Sequence, residues 1–158
     1  MANRFLVDFQ DIDEPQWIGR VEPFLQKLAQ ELCVDGQEVS VVFCGDGMIR
    51  ELNKNYRNID APTDVLSFEN GEEFLDEGGA KWILAGDIAI SVDTLAKNAE
   101  YFECDQNSEL KRLLLHGLLH LNGYDHGEEH IEKGKAPECE MLKLQEEILL
   151  KYREEKII

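Results

Sequence analysis

The chain has 158 residues, of which 43% are hydrophobic and 31% charged, and its formal net charge is −17 at pH 7. This composition is typical of a soluble globular protein and excludes fibrous and disordered classes. It also excludes a membrane-spanning helix, because no apolar run approaches the roughly 18 residues that a span requires. The acidic balance argues against a broad nucleic-acid-binding surface but remains compatible with a local basic groove.

We expect a single domain over residues 1–158, since this length suits one domain with a substantial core. The first residues contain acids where a signal peptide would be apolar, which predicts a cytoplasmic, unprocessed protein with no membrane contact. The cysteines are widely spaced and form no CxxC pair, so reduced, buried thiols are expected rather than disulfides. They are Cys33, Cys44, Cys104 and Cys139.

Hydrophobic periodicity predicts nine elements in the order β-α-β-α-β-β-α-α-α. The predicted strands cover residues 4–10, 38–44, 64–69 and 82–92. The predicted helices cover residues 15–33, 46–56, 94–102, 109–121 and about 137–156. The acidic segment between the last two strands, residues 70–80, is predicted to be a loop or a hairpin connection. This order indicates an α+β fold in which helices cover a small mixed β-sheet.

Helix boundaries follow from capping residues. Asp46 and Asp93 are predicted to cap the second and third helices, and Ser108 or Asn107 the fourth. Pro23 lies inside the first helical pattern, where it either kinks the helix or marks its true start. The inward stripe of the second helix is predicted to comprise Ile49, Leu52 and Tyr56.

Residues 116–126, HGLLHLNGYDH, carry the strongest chemical signal in the sequence. His116 and His120 lie four apart and therefore share one face of the fourth helix. Gly123 is placed to end that helix in the left-handed conformation, which lets the chain turn back and present His126. Three neutral imidazoles suit one Zn²⁺ ion per chain and leave a coordination position open, which predicts a catalytic metal site.

The motif has the histidine and glycine spacing of metzincin peptidases, so we expect a zincin-like metal-binding helix. Gly117 stands where those enzymes carry their catalytic glutamate. Without that base, proton transfer to a leaving amine loses its catalyst, so the peptidase hypothesis weakens. Phosphodiester cleavage fits better, because a metal can activate water or bind a phosphoryl oxygen while a cation offsets the developing charge.

Several neighbours of the motif are interpreted as ordinary solvated or packed side chains rather than as further ligands. They are Glu128, Glu129, His130 and Cys139. Asp125 adjoins a predicted ligand, and two interpretations of it stay open, an acceptor that orients an imidazole or a simply exposed carboxylate.

A phosphodiesterase needs positive charge near its metal. Arg50, Lys54 and Arg57 follow one another at four and three residues along the second helix or its end. Spacing alone is also consistent with a solvated helix face. Arg57 is the best phosphate candidate, because the planar guanidinium can bind two phosphate oxygens at once.

Three motifs together resemble the YbeY family of bacterial endoribonucleases. They are LNKNYRNIDAPTDVLSF (52–68), LAGDIAIS (84–91) and HGLLHLNGYDH (116–126). The resemblance implies that His116, His120 and His126 bind zinc and that Arg57 serves RNA binding or catalysis. It further implies cleavage of single-stranded RNA, maturation of the 3′ end of small-subunit rRNA, ribosome quality control, and partners among ribosomal proteins or ribosome-associated factors.

Two alternatives from other classes remain. One is a zinc peptidase or amidase on the same histidine frame. The other is a non-catalytic ribosome assembly factor whose zinc braces the fold. The sequence leaves the oligomeric state open.

Overall fold

The computed structural model describes residues 2–127, 130–132 and 134–158. Its four strands are β1 (Arg4–Phe9), β2 (Gln37–Cys44), β3 (Val65–Leu75) and β4 (Lys81–Ser91). Its five helices are α1 (Val21–Glu31), α2 (Asp46–Arg57), α3 (Val92–Tyr101), α4 (Gln106–Leu121) and α5 (Glu140–Lys151). A short 3-10 turn, Ile18–Arg20, precedes α1. The predicted element order is confirmed.

The strands form one mixed sheet in the order β1-β2-β4-β3. β1, β2 and β4 are parallel, and β3 pairs with β4 in the antiparallel direction. Gly86 in β4 has a φ of +145°, and a Cβ atom there would collide with the backbone carbonyl of Phe68 in β3. Glycine is therefore required where these two strands approach each other. The molecule is a small α+β protein with a mixed sheet, as predicted.

The acidic segment 70–80 belongs to the β3–β4 hairpin, one of the two predicted forms, and β3 is longer than predicted. Pairing with β4 continues to Leu75, which lies opposite Lys81. Asp76 stabilises the turn, since its carboxylate accepts hydrogen bonds from the backbone N–H groups of Gly78 and Ala80 and from the indole of Trp82. These bonds hold the pKa of Asp76 below its usual range.

Neither predicted capping aspartate caps its own helix. The N-cap of α2 is Gly45, and the carboxylate of Asp93 accepts the backbone N–H of Asp46 at 2.9 Å. The N-cap of α3 is Ser91, whose hydroxyl accepts from the backbone N–H of Thr94. The carboxylate of Asp46 in turn accepts the hydroxyls of Ser91 and Thr94. The prediction was wrong in detail because the two helix starts lie side by side.

The start of α4 also differs from the prediction. Asp105 is the N-cap, and it accepts the backbone N–H of Ser108 at 2.7 Å. Asn107 instead accepts the backbone N–H of Ile157 near the end of the chain. Neither predicted residue is the cap, since Asn107 contacts the end of the chain and Ser108 is the residue whose N–H is capped.

Two further expectations concern α1 and α2. Pro23 is the third residue of α1, within the first turn, where a missing N–H removes no intrahelical bond. It therefore marks the start of the helix rather than a kink. In α2, Ile49 is buried as predicted but Tyr56 is 67% exposed. Asn53 is buried instead, and its amide donates to the carbonyl of Ala61.

The main core lies between the sheet and helices α1, α4 and α5, and α3 adds Leu95 to it. It draws on both ends of the described chain, since Phe5 and Ile157 belong to it. The buried ammonium group of Lys111 in α4 donates to three carbonyls beyond α5, those of Tyr152, Arg153 and Glu155. This contact fixes the end of α5 against α4, and burial lowers the pKa of Lys111.

Gly117 lies where α4 packs most closely on β4. A Cβ atom at this position would approach the side chain of Ile88 to 2.9–3.1 Å. Ile88 is fully buried and branched at Cβ, so it has little freedom to move. Position 117 therefore faces the sheet. Close packing against Ile88 explains the glycine at this position without reference to catalysis.

We expect Gly117→Ala to lower the free energy of unfolding by about 1 kcal/mol. Overpacking a core costs about 1–3 kcal/mol, which outweighs the roughly 1 kcal/mol that alanine gains over glycine in a helix. Urea unfolding measures the change. Gly47→Ala is the matched control, because this exposed glycine of α2 has open space around its Cβ position and should gain about 0.5 kcal/mol. Equal stabilisation at both positions would contradict the packing explanation.

None of the four cysteines forms a disulfide, but the prediction of burial holds only for Cys44, whose pKa burial raises to about 11. Cys33 is exposed, and Cys104 and Cys139 are half-buried. Among the described residues, no helix has the length and apolar character to cross a membrane.

Candidate functional site

The end of α4 brings the three histidines of the motif together. The N–H of Gly123 donates to the carbonyl of His120, and the N–H of Tyr124 to the carbonyl of Leu119, both at 3.1 Å. These two bonds form a Schellman motif, and Gly123 has the left-handed φ of +88° that it requires. The chain reverses direction here and carries His126 back towards α4. The predicted glycine end of the helix is confirmed.

The histidines form a compact group that could hold a metal ion. One ring nitrogen from each of His116, His120 and His126 lies within 4.8 Å of the others. The Nε2 atoms of His116 and His120 are 3.1 Å apart. Two imidazole nitrogens bound to one tetrahedral zinc at 2.0–2.1 Å would be about 3.3 Å apart. The spacing of this pair fits a shared zinc ion.

Gln145 of α5 fixes the orientation of His116. Its Oε1 atom lies 2.8 Å from Nδ1 of His116, and because an amide oxygen only accepts, Nδ1 carries the hydrogen. The Nε2 atom of His116 therefore presents its lone pair towards His120. A buried acceptor on the far ring nitrogen is the usual support of a metal-binding histidine.

The protonation of the group suits metal binding. Burial lowers the pKa of His116 to about 4, and it also lowers the pKa of His120. Both imidazoles are therefore neutral near pH 7, the state in which a histidine can coordinate a metal. The Nδ1 atom of His126 is buried without a hydrogen-bond partner among the described residues. A buried nitrogen without a partner is costly unless something satisfies it, so the donor set fits a metal ion.

The other candidates near the motif stand apart from this group. His130 lines the same cleft, with its ring centroid 5.2 Å from that of His126, but the three-histidine group does not include it. Asp125 is exposed, and its carboxylate accepts the backbone N–H of Gly127, which supports the loop rather than an imidazole. Cys139 is the N-cap of α5. Glu128 and Glu129 lie outside the described residues.

The histidines line a cleft of about 910 Å³. β3 and the two residues before it form one wall with residues 63–67 and 69, and α4 forms the floor from Glu109 to His120. The end of α3 closes one side, and the loop after α4 closes the other. Its volume lies towards the upper end of the roughly 300–1,000 Å³ that is usual for ligand-binding clefts.

Arg57 lies at the end of α2 and lines the same cleft as the histidines. Its Nη2 atom donates to the carbonyl of Ser67 at 2.6 Å, and its guanidinium carbon lies 5.5 Å from the ring centroid of Phe68. The hydroxyl of Ser67 in turn lies 3.5 Å from the carbonyl of Gly117, next to His116. Arg57 is therefore held beside the histidine helix through β3.

The other two cations of α2, Arg50 and Lys54, do not line the cleft. Arg50 is tied to Asp60 by a salt bridge of 2.7 Å, and this bond lowers the pKa of Asp60. Lys54 is exposed on the same helix. Among the described residues, no salt bridge engages Arg57. The helical spacing grouped three cations, but only Arg57 shares a surface with the histidines.

Sequence reasoning missed Gln145, although the sequence contains a signal for it. Gln145 lies four residues after Met141 and three before Ile148, on the apolar stripe of α5, and it is fully buried. A polar residue at a core position of an amphipathic helix must find a buried partner, which here is His116. The cleft residues Tyr101 and Arg112 were also missed, because no local pattern brings α3 and α4 together.

The fold and the cleft define a small α+β protein with a candidate three-histidine metal centre. The chain belongs to the Endoribonuclease YbeY family, whose model matches residues 6–153. The resemblance carried by the three sequence motifs is thus confirmed. Endoribonuclease YbeY of Treponema denticola is 49% identical over 155 residues, covering 97% of this chain and 96% of that protein. The Aquifex aeolicus protein of the same name is 42% identical over 132 residues, covering 84% and 81%.

A solved structure agrees at the level of the fold. The solution structure of a Thermotoga maritima protein superposes with a TM-score of 0.61 at 24% sequence identity. The match covers 95% of this chain and 90% of that one. This similarity supports the α+β architecture and carries no information on chemistry.

Proposed function

We propose that this protein is a zinc-dependent endoribonuclease that cleaves single-stranded RNA during ribosomal RNA processing. Within ribosomal RNA metabolism, we assign the protein to maturation of the 3′ end of small-subunit rRNA and to ribosome quality control. The family supplies the reaction class, since its curated relatives carry the name Endoribonuclease YbeY. The observation that carries the proposal is the single cleft lined by Arg57 and by the three clustered histidines.

His116, His120 and His126 would hold one zinc ion, on a helix that we interpret as zincin-like. When bound, zinc supplies a Lewis acid that can lower the pKa of a water or polarise a phosphoryl oxygen. Three protein ligands leave a coordination position for that chemistry, whereas structural zinc sites usually have four. Gln145 orients His116 for this role, and burial lowers the pKa of His116 and of His120, which keeps both rings neutral.

Arg57 would bind the scissile phosphate. Its contact with the Ser67 carbonyl engages Nη2 and leaves other guanidinium N–H donors for phosphate oxygens. Attack on phosphorus, by water or by the ribose 2′-hydroxyl, adds negative charge to the equatorial oxygens. A guanidinium held in place before that charge develops stabilises the transition state more than the ground state.

The acidic balance of the chain shapes how the substrate arrives. A net charge of −17 disfavours broad phosphate contact, so affinity for free RNA should be modest and confined to the cleft around Arg57. Contacts with ribosomal proteins or ribosome-associated factors would bring the protein to its substrate, in the cytoplasm. The shared core of elements from both ends of the chain supports a single domain over residues 1–158.

The peptidase hypothesis receives no support from the cleft. A catalytic glutamate at position 117 would have to face the metal, whereas the Cβ direction of Gly117 points at Ile88 of the sheet. The assembly-factor hypothesis requires zinc to brace the fold. The main core consists of apolar side chains from the sheet and four helices, which argues for a fold that persists without metal.

Metal analysis combined with an RNA cleavage assay tests the proposal. We expect about one zinc per chain, cleavage of a single-stranded oligoribonucleotide but not of its duplex, loss of cleavage after chelation, and recovery when zinc is restored. Circular dichroism of the chelated protein should show a folded chain. Cleavage that survives complete metal removal would contradict the zinc requirement. A zinc-loaded protein that cleaves no RNA and unfolds on chelation would favour the assembly-factor hypothesis.

A further inference from the structure

The cleft contains exposed aromatic rings that the proposed chemistry does not use. Of the large hydrophobic side chains that the described part of the chain exposes, two line the cleft, Tyr101 and Tyr124. Tyr124 belongs to the loop that presents His126. Tyr101 lies at the opposite end, as the last residue of α3, and is 60% exposed.

Tyr101 is held by the residues beneath it. Its ring meets the ring of Phe102 at a centroid distance of 4.9 Å and an angle of 74°. The guanidinium carbon of Arg112 lies 5.3 Å from the centroid of Phe102. Arg112 precedes His116 by four residues, or about 6 Å along the helix. Through Phe102 and Arg112, the ring of Tyr101 thus rests on α4 one helical turn before His116.

This end of the cleft is unsuited to phosphate. Its cation, Arg112, is engaged by Glu109 at 2.6 Å and by Glu146 at 3.3 Å. The carboxylate of Asp64 also lines the cleft here, where it accepts the amide of Asn98. Paired charge and an extra carboxylate repel a phosphate group, whereas an uncharged ring can still stack on Tyr101.

We infer that Tyr101 is a base-stacking site for a nucleotide that flanks the scissile phosphate. This inference rests on the proposed nuclease function and adds a structural reason for single-strand preference. The phosphate is held at Arg57, and the neighbouring base leaves the strand to lie against the tyrosine ring. A base in a duplex is already paired and stacked on both faces, so it cannot occupy this site.

Abasic scanning of the substrate tests the inference. Zinc-loaded protein is assayed with single-stranded oligoribonucleotides that each lack one base at successive positions around the cleaved bond. For the parent, one position should raise KM about tenfold, the effect of losing one stacked base. Tyr101→Leu should raise KM about tenfold on the intact strand with kcat unchanged, and it should show no further penalty at that position. Tyr101→Phe keeps the ring and should match the parent.

Leu150→Ala is the surface control, because Leu150 is 62% exposed on α5 and does not line the cleft. Dissociation constants from fluorescence anisotropy are measured in parallel with the same strands. Equal dissociation constants for the parent and Tyr101→Leu overturn the inference, whether or not the RNA is cleaved. That result is also the one expected if Tyr101 contacts a protein partner instead of RNA. Binding that depends on Tyr101 without any cleavage contradicts the proposed nuclease function and leaves the stacking site in place.

Discussion

Replacing Arg57 with alanine is expected to lower kcat for RNA cleavage about 100- to 1000-fold while the protein keeps its zinc. This is the usual cost of removing one group that stabilises developing negative charge. The side chain is exposed and contacts the Ser67 carbonyl and the Phe68 ring, so its loss leaves no buried charge unpaired. Single-turnover cleavage with saturating zinc measures the effect, and metal analysis checks that the three histidines still bind.

Arg50→Ala is the matched control for Arg57→Ala. Both arginines belong to α2, but Arg50 is paired with Asp60 and does not line the cleft. Its loss should leave kcat within about twofold of the parent, since surface ion pairs contribute little. Arg57→Lys keeps the charge but not the planar fork and should fall between parent and alanine variant. If Arg57→Ala cleaves like the parent, its role in the proposed mechanism is wrong.

Local patterns were sufficient for the elements and for the histidine group. The spacing of His116 and His120 follows from the helical period, and Gly123 ends the helix because a left-handed residue is needed there. Both features depend on neighbours within a few positions along the chain. The mixed sheet was predictable for a similar reason, since the element order itself restricts how the strands can connect.

Contacts between distant segments could not be predicted in the same way. The sequence correctly places Asp46 and Asp93 at helix starts. Each carboxylate accepts hydrogen bonds at the start of the other helix, because α2 and α3 begin next to each other. Tyr56 lies on the apolar side of a helical wheel but is exposed, and its ring contacts the edge of the sheet at Phe68 of β3, with centroids 5.3 Å apart. The hydrophobic periodicity of one sequence shows which side of a helix or strand is apolar. It does not show which of these sides contact each other in the fold.

Gly117 shows how a local motif can receive the wrong explanation. Comparison with peptidase motifs interpreted this glycine as the loss of a catalytic base. The structure adds that its Cβ direction points into the contact with Ile88, so this position could not carry a glutamate towards the cleft without moving α4. The similarity to the peptidase motif therefore extends to the histidines and Gly123 but not to the orientation of position 117.

His120→Ala should abolish both zinc retention and RNA cleavage without unfolding the protein. Two imidazoles would remain, and zinc affinity should fall by at least about 100-fold, more than the roughly 10- to 100-fold lost when a supporting partner of a ligand is removed. Burial lowers the pKa of His120, so its ring is neutral near pH 7, and among the described residues it forms no ion pair whose loss would destabilise the fold. Competition with a chromophoric chelator measures the affinity, and circular dichroism measures the fold.

Two further variants test whether zinc affinity depends on the proposed ligands and on the residue that orients one of them. Gln145→Leu removes the acceptor that orients His116 and should weaken zinc binding about 10- to 100-fold, with cleavage restored at high zinc. His130→Ala is the control, because His130 lines the cleft but lies outside the three-histidine group, and its affinity should match the parent. If His130→Ala lowers zinc affinity more than His120→Ala does, the metal ligands are misassigned. A metal-free, fully active His120→Ala would contradict metal-dependent cleavage altogether, since the remaining cleft residues would then suffice for the reaction.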